Sequence, residues 1–235
     1  LLAVRGVSFQ LHAGEILGIA GVDGNGQREL ADALACLRPL GAGTIRRFPP
    51  NPPLRRGETR AIAYIPEDRQ KMGLVLGFNL GKNLILKIFN LLPFCRRWLL
   101  QYGIINDNAT SAMNKFDIRA GNPSVKVSQL SGGNQQKVVL ARELSGEPDL
   151  IIAMQPTRGL DVGATEYVQQ KLLAERERGA AILYISTELE EVMMMSDRIA
   201  VIYEGKFVDI LDASTATVEQ IGYLMTGGKV LGREE

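Results

Sequence analysis

Two glycine-rich segments carry residue types suited to holding phosphate. The first is Leu130-Ser131-Gly132-Gly133-Asn134-Gln135-Gln136-Lys137, followed by the apolar run Val138-Val139-Leu140-Ala141. That order suits a helix N-terminus, where free backbone N–H groups and the positive end of the helix dipole favour an anion. Ser131 can cap such a helix and also donate its hydroxyl to a phosphate oxygen. An ordinary serine-capped helix would account for Ser131 and for little else in the segment. The second is Gly21-Val22-Asp23-Gly24-Asn25-Gly26-Gln27-Arg28. It follows the strand-like run Glu15-Ile16-Leu17-Gly18-Ile19-Ala20 and precedes Leu30, Ala33, Leu34 and Leu37 at helical spacing. In such a strand–loop–helix frame, small side chains let successive N–H groups converge on phosphate.

The second segment keeps the glycine frame of the phosphate loop G-x-x-x-x-G-K-[ST] but not its charged chemistry. Gln27 stands where a lysine would reach the β- and γ-phosphates, and Arg28 where a hydroxyl would hold Mg²⁺. No Gly-Lys-Ser or Gly-Lys-Thr occurs elsewhere in the chain. A third segment, Leu150-Ile151-Ile152-Ala153-Met154-Gln155-Pro156-Thr157, is an apolar run that ends without a carboxylate. Met154 and Gln155 stand at its end, and neither side chain carries the charge with which a carboxylate holds Mg²⁺ or draws a proton from water. A glutamine can position a water but is a very poor proton acceptor.

Taken together, LSGGNQQK, GVDGNGQ and QPTRGLDVGA resemble the ATPases of ABC transporters, in the form typical of sugar and nucleoside importers. The resemblance runs from Val7 to about Ile210. It implies a nucleotide-binding loop at Gly21, Asp23, Gly24, Asn25, Gly26, Gln27 and Arg28. It implies a signature segment, Ser131, Gly132, Gly133, Asn134 and Gln135, acting in trans on a nucleotide held by an opposite ATPase domain. Glu67 falls at the Q-loop glutamine, Asp161 in the D-loop, and Thr187 at the switch histidine. The chain's single histidine is His12, far upstream, so no switch histidine exists. With Gln27, Met154, Gln155 and Thr187 at the degenerate positions, no catalytic residue is intact in cis and no metal site is expected.

The pattern resembles the second, C-terminal half of a tandem importer ATPase. The implied cofactors are ATP, held weakly or without Mg²⁺ at the chain's own site, and Mg²⁺ at the partner's site. The implied partners are another ABC ATPase domain, head to tail, as the first half of the same polypeptide, then transmembrane permease subunits and, indirectly, a solute-binding protein. The implied location is peripheral, on the cytoplasmic face of the membrane. Because an adenine-stacking aromatic is expected upstream of Leu1, the chain reads as a fragment of a longer protein. Two alternatives stay open: a phosphohydrolase working with unusual residues, and a soluble ABC-like protein of translation or repair. The NQQK ending of the signature argues for importers.

These residues need a scaffold. The resemblance implies an α/β P-loop NTPase core with a parallel RecA-like sheet, an antiparallel β subdomain and a helical signature subdomain. One nucleotide-binding domain is expected over 1–235, with 1–77 and 146–210 as core plus β subdomain, 78–145 helical and 211–235 a tail. Val7-Phe9-Leu11 alternates with polar residues, as in a half-buried strand. A short strand is expected near Thr44-Ile45 within an otherwise irregular stretch from Arg38 to Thr59, and another over Arg60 to Ile65. Leu150–Ala153 and Ala181–Ile185 are continuous apolar runs, as in buried parallel strands. Ala164–Arg178 is expected to be helical, with Gly179 at its C-cap. Ile199–Tyr203 and Lys206–Ile210 form a hairpin around Glu204-Gly205, and the tail holds a short helix before a loose end from Gly227-Gly228. Leu84-Ile85-Leu86-Lys87-Ile88-Phe89 is either helical-subdomain core or the lining of a groove for a membrane subunit.

Bulk properties agree. A chain of 235 residues can bury one sizeable core. A net charge of +1 argues against broad binding to nucleic acid. The two cysteines, Cys36 and Cys95, lack metal or redox spacing. The most apolar stretch, Leu84 to Leu100, is interrupted by Lys87, Pro93, Arg96 and Arg97 and falls short of the roughly 20 apolar residues a membrane span needs.

Overall fold

The computed structural model describes residues 3–46 and 62–228. The chain forms two compact units. The first comprises Leu1–Tyr64, Pro148–Pro156 and Gln169–Glu235, the second Ile65–Glu147 and Thr157–Val168.

The first unit is built on a six-stranded sheet. Its strands are β1 (Ile16–Ala20), β2 (Ile62–Ile65), β5 (Leu150–Met154), β6 (Ala181–Ile185), β7 (Arg198–Tyr203) and β8 (Lys206–Asp212), in the order β2-β5-β6-β1-β7-β8. β1 runs parallel to β6 and β7, and β5 parallel to β6. These strands read as unbroken apolar runs because both faces of the sheet are covered. Alternate residues feed opposite faces. Ala200 and Ile202 join Leu17, Ile19, Ile152, Met154, Leu183 and Ile185 in one core, with Ala31 of α1 (Gln27–Leu34). Ile199 and Val201 join Ala20 in the other, against Val192 of α6 (Leu189–Met195) and Ile221 and Leu224 of α7 (Val218–Met225). The approach of α6 is close: a Cβ at Gly18 would lie 2.1 Å from Ser196 Oγ. The β7–β8 hairpin turns at Glu204 and Gly205, both with positive φ.

Two expected strands differ. Along Val7 to His12 the exposure alternates as expected, and the Phe9 ring packs 5.4 Å from Phe207, but the segment joins no ladder. Alternation reports one buried face; a strand also needs a partner for its backbone, and none is described. Thr44-Ile45 likewise forms no strand, and Ile45 is exposed, so no apolar face drives pairing there. Much of the irregular stretch beyond Arg46, with Arg60 and Ala61, lies outside the described residues, as does the end of the tail from 229 onward.

The second unit is mostly helical: α2 (Leu80–Leu84), α3 (Tyr102–Lys115), α4 (Gly132–Leu144) and the start of α5 (Val162–Glu177), with a small hairpin of β3 (Cys95–Arg96) and β4 (Leu99–Leu100). Asn79 caps α2 through Lys82 N at 2.9 Å. Asn83, fully buried, accepts from Val75 N at 2.9 Å and donates to Val75 O and Asn79 O at 3.1 Å, so its burial leaves no polar group unmet. Glu143, also buried, is held by Arg142 Nε at 2.9 Å and by the Lys87 ammonium. The ambiguous stretch after α2 divides: Leu84 and Ile85 are core, whereas Ile88 and Phe89 are exposed. Among the described residues, no helix is long and apolar enough to cross a membrane.

Candidate functional site

The glycine loop joins β1 to α1 and folds as the sequence demands. Gly24 and Gly26 have φ of 87° and 101°, a region that only glycine enters without strain. At Gly21 a Cβ would lie 2.7 Å from the Ile202 carbonyl oxygen. Asn25 pins the loop to the β7–β8 turn: its Oδ1 accepts from Glu204 N at 2.7 Å and its carbonyl from Gly205 N at 3.0 Å, while Nδ2 donates to Val22 O at 2.8 Å. Gln27 is buried, and its amide turns inward to donate to Val22 O at 2.9 Å. That amide is spent closing the loop. Asp23 and Arg28 are exposed.

Beside the loop, Asp23, Gln27, Met154, Gln155, Ser186 and Thr187 line one shallow cleft of the first unit. Met154 ends β5 with its thioether packed into the sheet core. Gln155 turns the chain with φ 49°, its N–H donating to Ile185 O at 2.7 Å. Its side-chain amide donates to Thr187 Oγ1 at 3.2 Å. Gln155 and Thr187 thus meet as a neutral amide–hydroxyl pair. A water could be held there by hydrogen bonds, but no group in the pair has the basicity to take its proton. Backbone N–H groups of the loop suit nucleotide phosphates. Toward Mg²⁺ the cleft offers a single carboxylate, Asp23, and no described cluster of His, Cys, Asp or Glu suits a metal.

The remaining candidates lie in the second unit. Ser131 caps α4, accepting from Asn134 N at 3.4 Å and Asn134 Nδ2 at 3.0 Å. Asn134 Oδ1 in turn accepts from Arg119 N at 2.7 Å. Gln135 is buried and donates to Val127 O and Leu130 O at 3.1 and 3.2 Å, fixing the approach to the helix. Ser131 stays exposed, with Gly132 and Gly133 partly so. Asp161 caps α5, accepting from Ala164 N at 2.8 Å. Glu67 is ion-paired with Arg158. Sequence reasoning missed Arg69. Its guanidinium donates to Arg158 O at 2.9 Å and lies against Gly132, where a Cβ would be 2.8 Å from it. It adds positive charge beside the N-terminus of α4; a cation two residues after Glu67 was the only signal for it.

Comparison with known proteins agrees with this geometry. The family model described as ABC transporter matches residues 4–158. The nucleoside import ATP-binding protein NupA of Lactococcus lactis is 43% identical over 232 residues, covering 97% of this chain and 46% of that protein. The guanosine import ATP-binding protein NupO of Bacillus subtilis is 44% identical over 227 residues, covering 95% and 44%. The fold matches a solved dimeric bacterial ABC transporter cassette, MJ0796, with a TM-score of 0.71 at 22% identity over 90% of each chain. The chain belongs to the ABC transporter family and has the ABC ATPase fold, with parallel and antiparallel strands in one sheet. It spans about half the length of the curated relatives it matches.

Proposed function

We propose that this chain is an ATP-binding cassette of an importer for nucleosides or simple sugars, whose own nucleotide site does not turn over and whose Ser131 helix completes the ATP site of a second cassette. The observation that carries the first part is the cleft between the glycine loop and β5. There Met154 is core, Gln155 pairs with Thr187, and Gln27 closes the loop on Val22. The second part rests on Ser131, Gly132 and Gly133 at the N-terminus of α4, where Ser131 is exposed. The relatives named for nucleoside import, at 43% and 44% identity, favour nucleosides over the ribose and glucose importers at 37% to 39%. The cassette would sit against permease subunits on the cytoplasmic face of the membrane, with Mg²⁺-ATP cleaved in the partner's site.

Calorimetric titration of the chain with ATP, with and without Mg²⁺, together with phosphate release, tests this reading. Weak binding indifferent to Mg²⁺ and no release above background are expected. Tight binding that collapses on chelation, or Mg²⁺-dependent release lost in Gln155→Ala, would overturn it.

A further inference from the structure

The chain's charge is unevenly distributed. The whole carries 27 Lys and Arg against 26 Asp and Glu. Residues 71–106 hold Lys71, Lys82, Lys87, Arg96 and Arg97 and no acidic residue, which leaves the remainder net acidic. More than half of the large apolar side chains exposed among the described residues fall in the same segment. They include Phe89 at 53%, Leu92 at 76%, Trp98 at 97% and Leu99 at 69% exposure.

The β3–β4 hairpin gathers these features. Its base is anchored, because Leu100 packs against the core of Ile85, Phe94 and Ile105, and Gln101 N donates to Phe94 O at 2.9 Å. Its tip is Arg97-Trp98, both in the left-handed region, with φ of 50° and 68°. A two-residue turn of that kind prefers Asn-Gly, so turn formation does not account for an arginine and a tryptophan there. Neither Arg96 nor Arg97 enters an ion pair among the described residues, and both are exposed. A bare tryptophan beside unpaired arginines and a leucine has the chemistry of a membrane interface. The indole settles at the headgroup level and the guanidinium groups meet lipid phosphate. The missing carboxylates remove the repulsion an anionic surface would otherwise meet.

We infer that the hairpin Cys95–Leu100 is a lipid-contacting element that seats Trp98 and Leu99 in the headgroup region of an anionic membrane, with Arg96 and Arg97 on phosphate. The inference is independent of the nucleotide-site reading, and neither falls with the other.

Trp98 is the only tryptophan, so its fluorescence reports this site alone. The test mixes the 235-residue chain with vesicles of phosphatidylcholine, with or without phosphatidylglycerol. With the anionic vesicles, Trp98 emission moves to shorter wavelength, is quenched by brominated acyl chains, and reverts as salt is raised. Arg96→Gln with Arg97→Gln weakens vesicle association about thirtyfold, from roughly a fivefold loss per arginine at the surface. Both side chains are exposed, so the variant keeps its fold, which circular dichroism checks. Unchanged emission with anionic vesicles overturns the inference, as does an equal shift with phosphatidylcholine alone or association indifferent to the arginines. A shift that needs a lipid-depleted membrane subunit instead of vesicles also overturns it and assigns the hairpin to a protein partner.

Discussion

Met154 is the single position at which the proposed lack of metal chemistry is most directly tested. Its thioether is 3% exposed and packs with Leu17, Ile152 and Ile185. An apolar, flexible side chain fits such a gap well. Met154→Asp places an unpaired carboxylate in the same core. The cost is on the order of 3 kcal/mol, or the group stays protonated with a raised pKa. Denaturant unfolding should show this loss equally with and without Mg²⁺-ATP. Stability regained only when Mg²⁺-ATP is present would mean that the cleft can still be loaded with metal, against the reading above. That the β5 run ends in an apolar methionine was legible in the sequence, where the side-chain type is given directly. The inward turn of Gln27 was not legible. A glutamine's direction depends on which carbonyl lies within reach, and Val22 O becomes that carbonyl only once Gly24 and Gly26 have bent the loop.

Elements read well where the pattern was long and its partner was in the chain: β5, β6, α5 and the β7–β8 hairpin have the expected types and nearly the expected limits. They failed where apolar alternation had no strand to pair with, as from Val7 to His12. α4 was legible from its serine and glycines, but its tether was not. Lys137 donates to Asp117 Oδ2 at 2.6 Å and to Asp117 O at 2.9 Å, and its ammonium lies 4.4 Å from the centre of the Tyr167 ring. Tyr167 donates to Phe116 O at 2.7 Å, and burial, with help from the Asp117 charge, pushes its phenol up to about 12. The Lys137 hydrogen bond, and then its charge, hold the Asp117 carboxyl below the usual range. A carboxyl depressed on folding contributes stability above its unfolded pKa of about 3.9, and that contribution is lost as pH falls through the folded value. Asp117→Asn should therefore lower the melting temperature at neutral pH, with the gap to the parent closing below about pH 4. Thermal melts of both proteins across that range provide the check. A gap that persists at the acid end would mean that the loss comes from the Asp117 backbone conformation, which has positive φ, and not from the ion pair.

At the scale of the molecule, the candidate residues divide between the two units. The glycine loop, Met154, Gln155 and Thr187 belong to the first unit, and Glu67, Ser131 and Asp161 to the second. The proposed function gives these groups unequal weight, because a cassette with an inert cleft would still act through its signature helix. In a reconstituted transporter containing this chain, Ser131→Arg should abolish solute-stimulated ATPase activity. The longer side chain would fill the space a partner's γ-phosphate needs and hold the two cassettes apart. The fold should survive, since Ser131 is exposed and losing its cap costs roughly 1 kcal/mol. Gln27→Ala removes the bond to Val22 O and loosens a loop already without its lysine, so activity should change far less. Steady-state phosphate release measured for both variants, beside the melting temperature of each, separates lost catalysis from lost folding. Full activity in Ser131→Arg, or equal loss in the two variants at unchanged stability, would mean that the signature helix of this chain does not complete a site elsewhere.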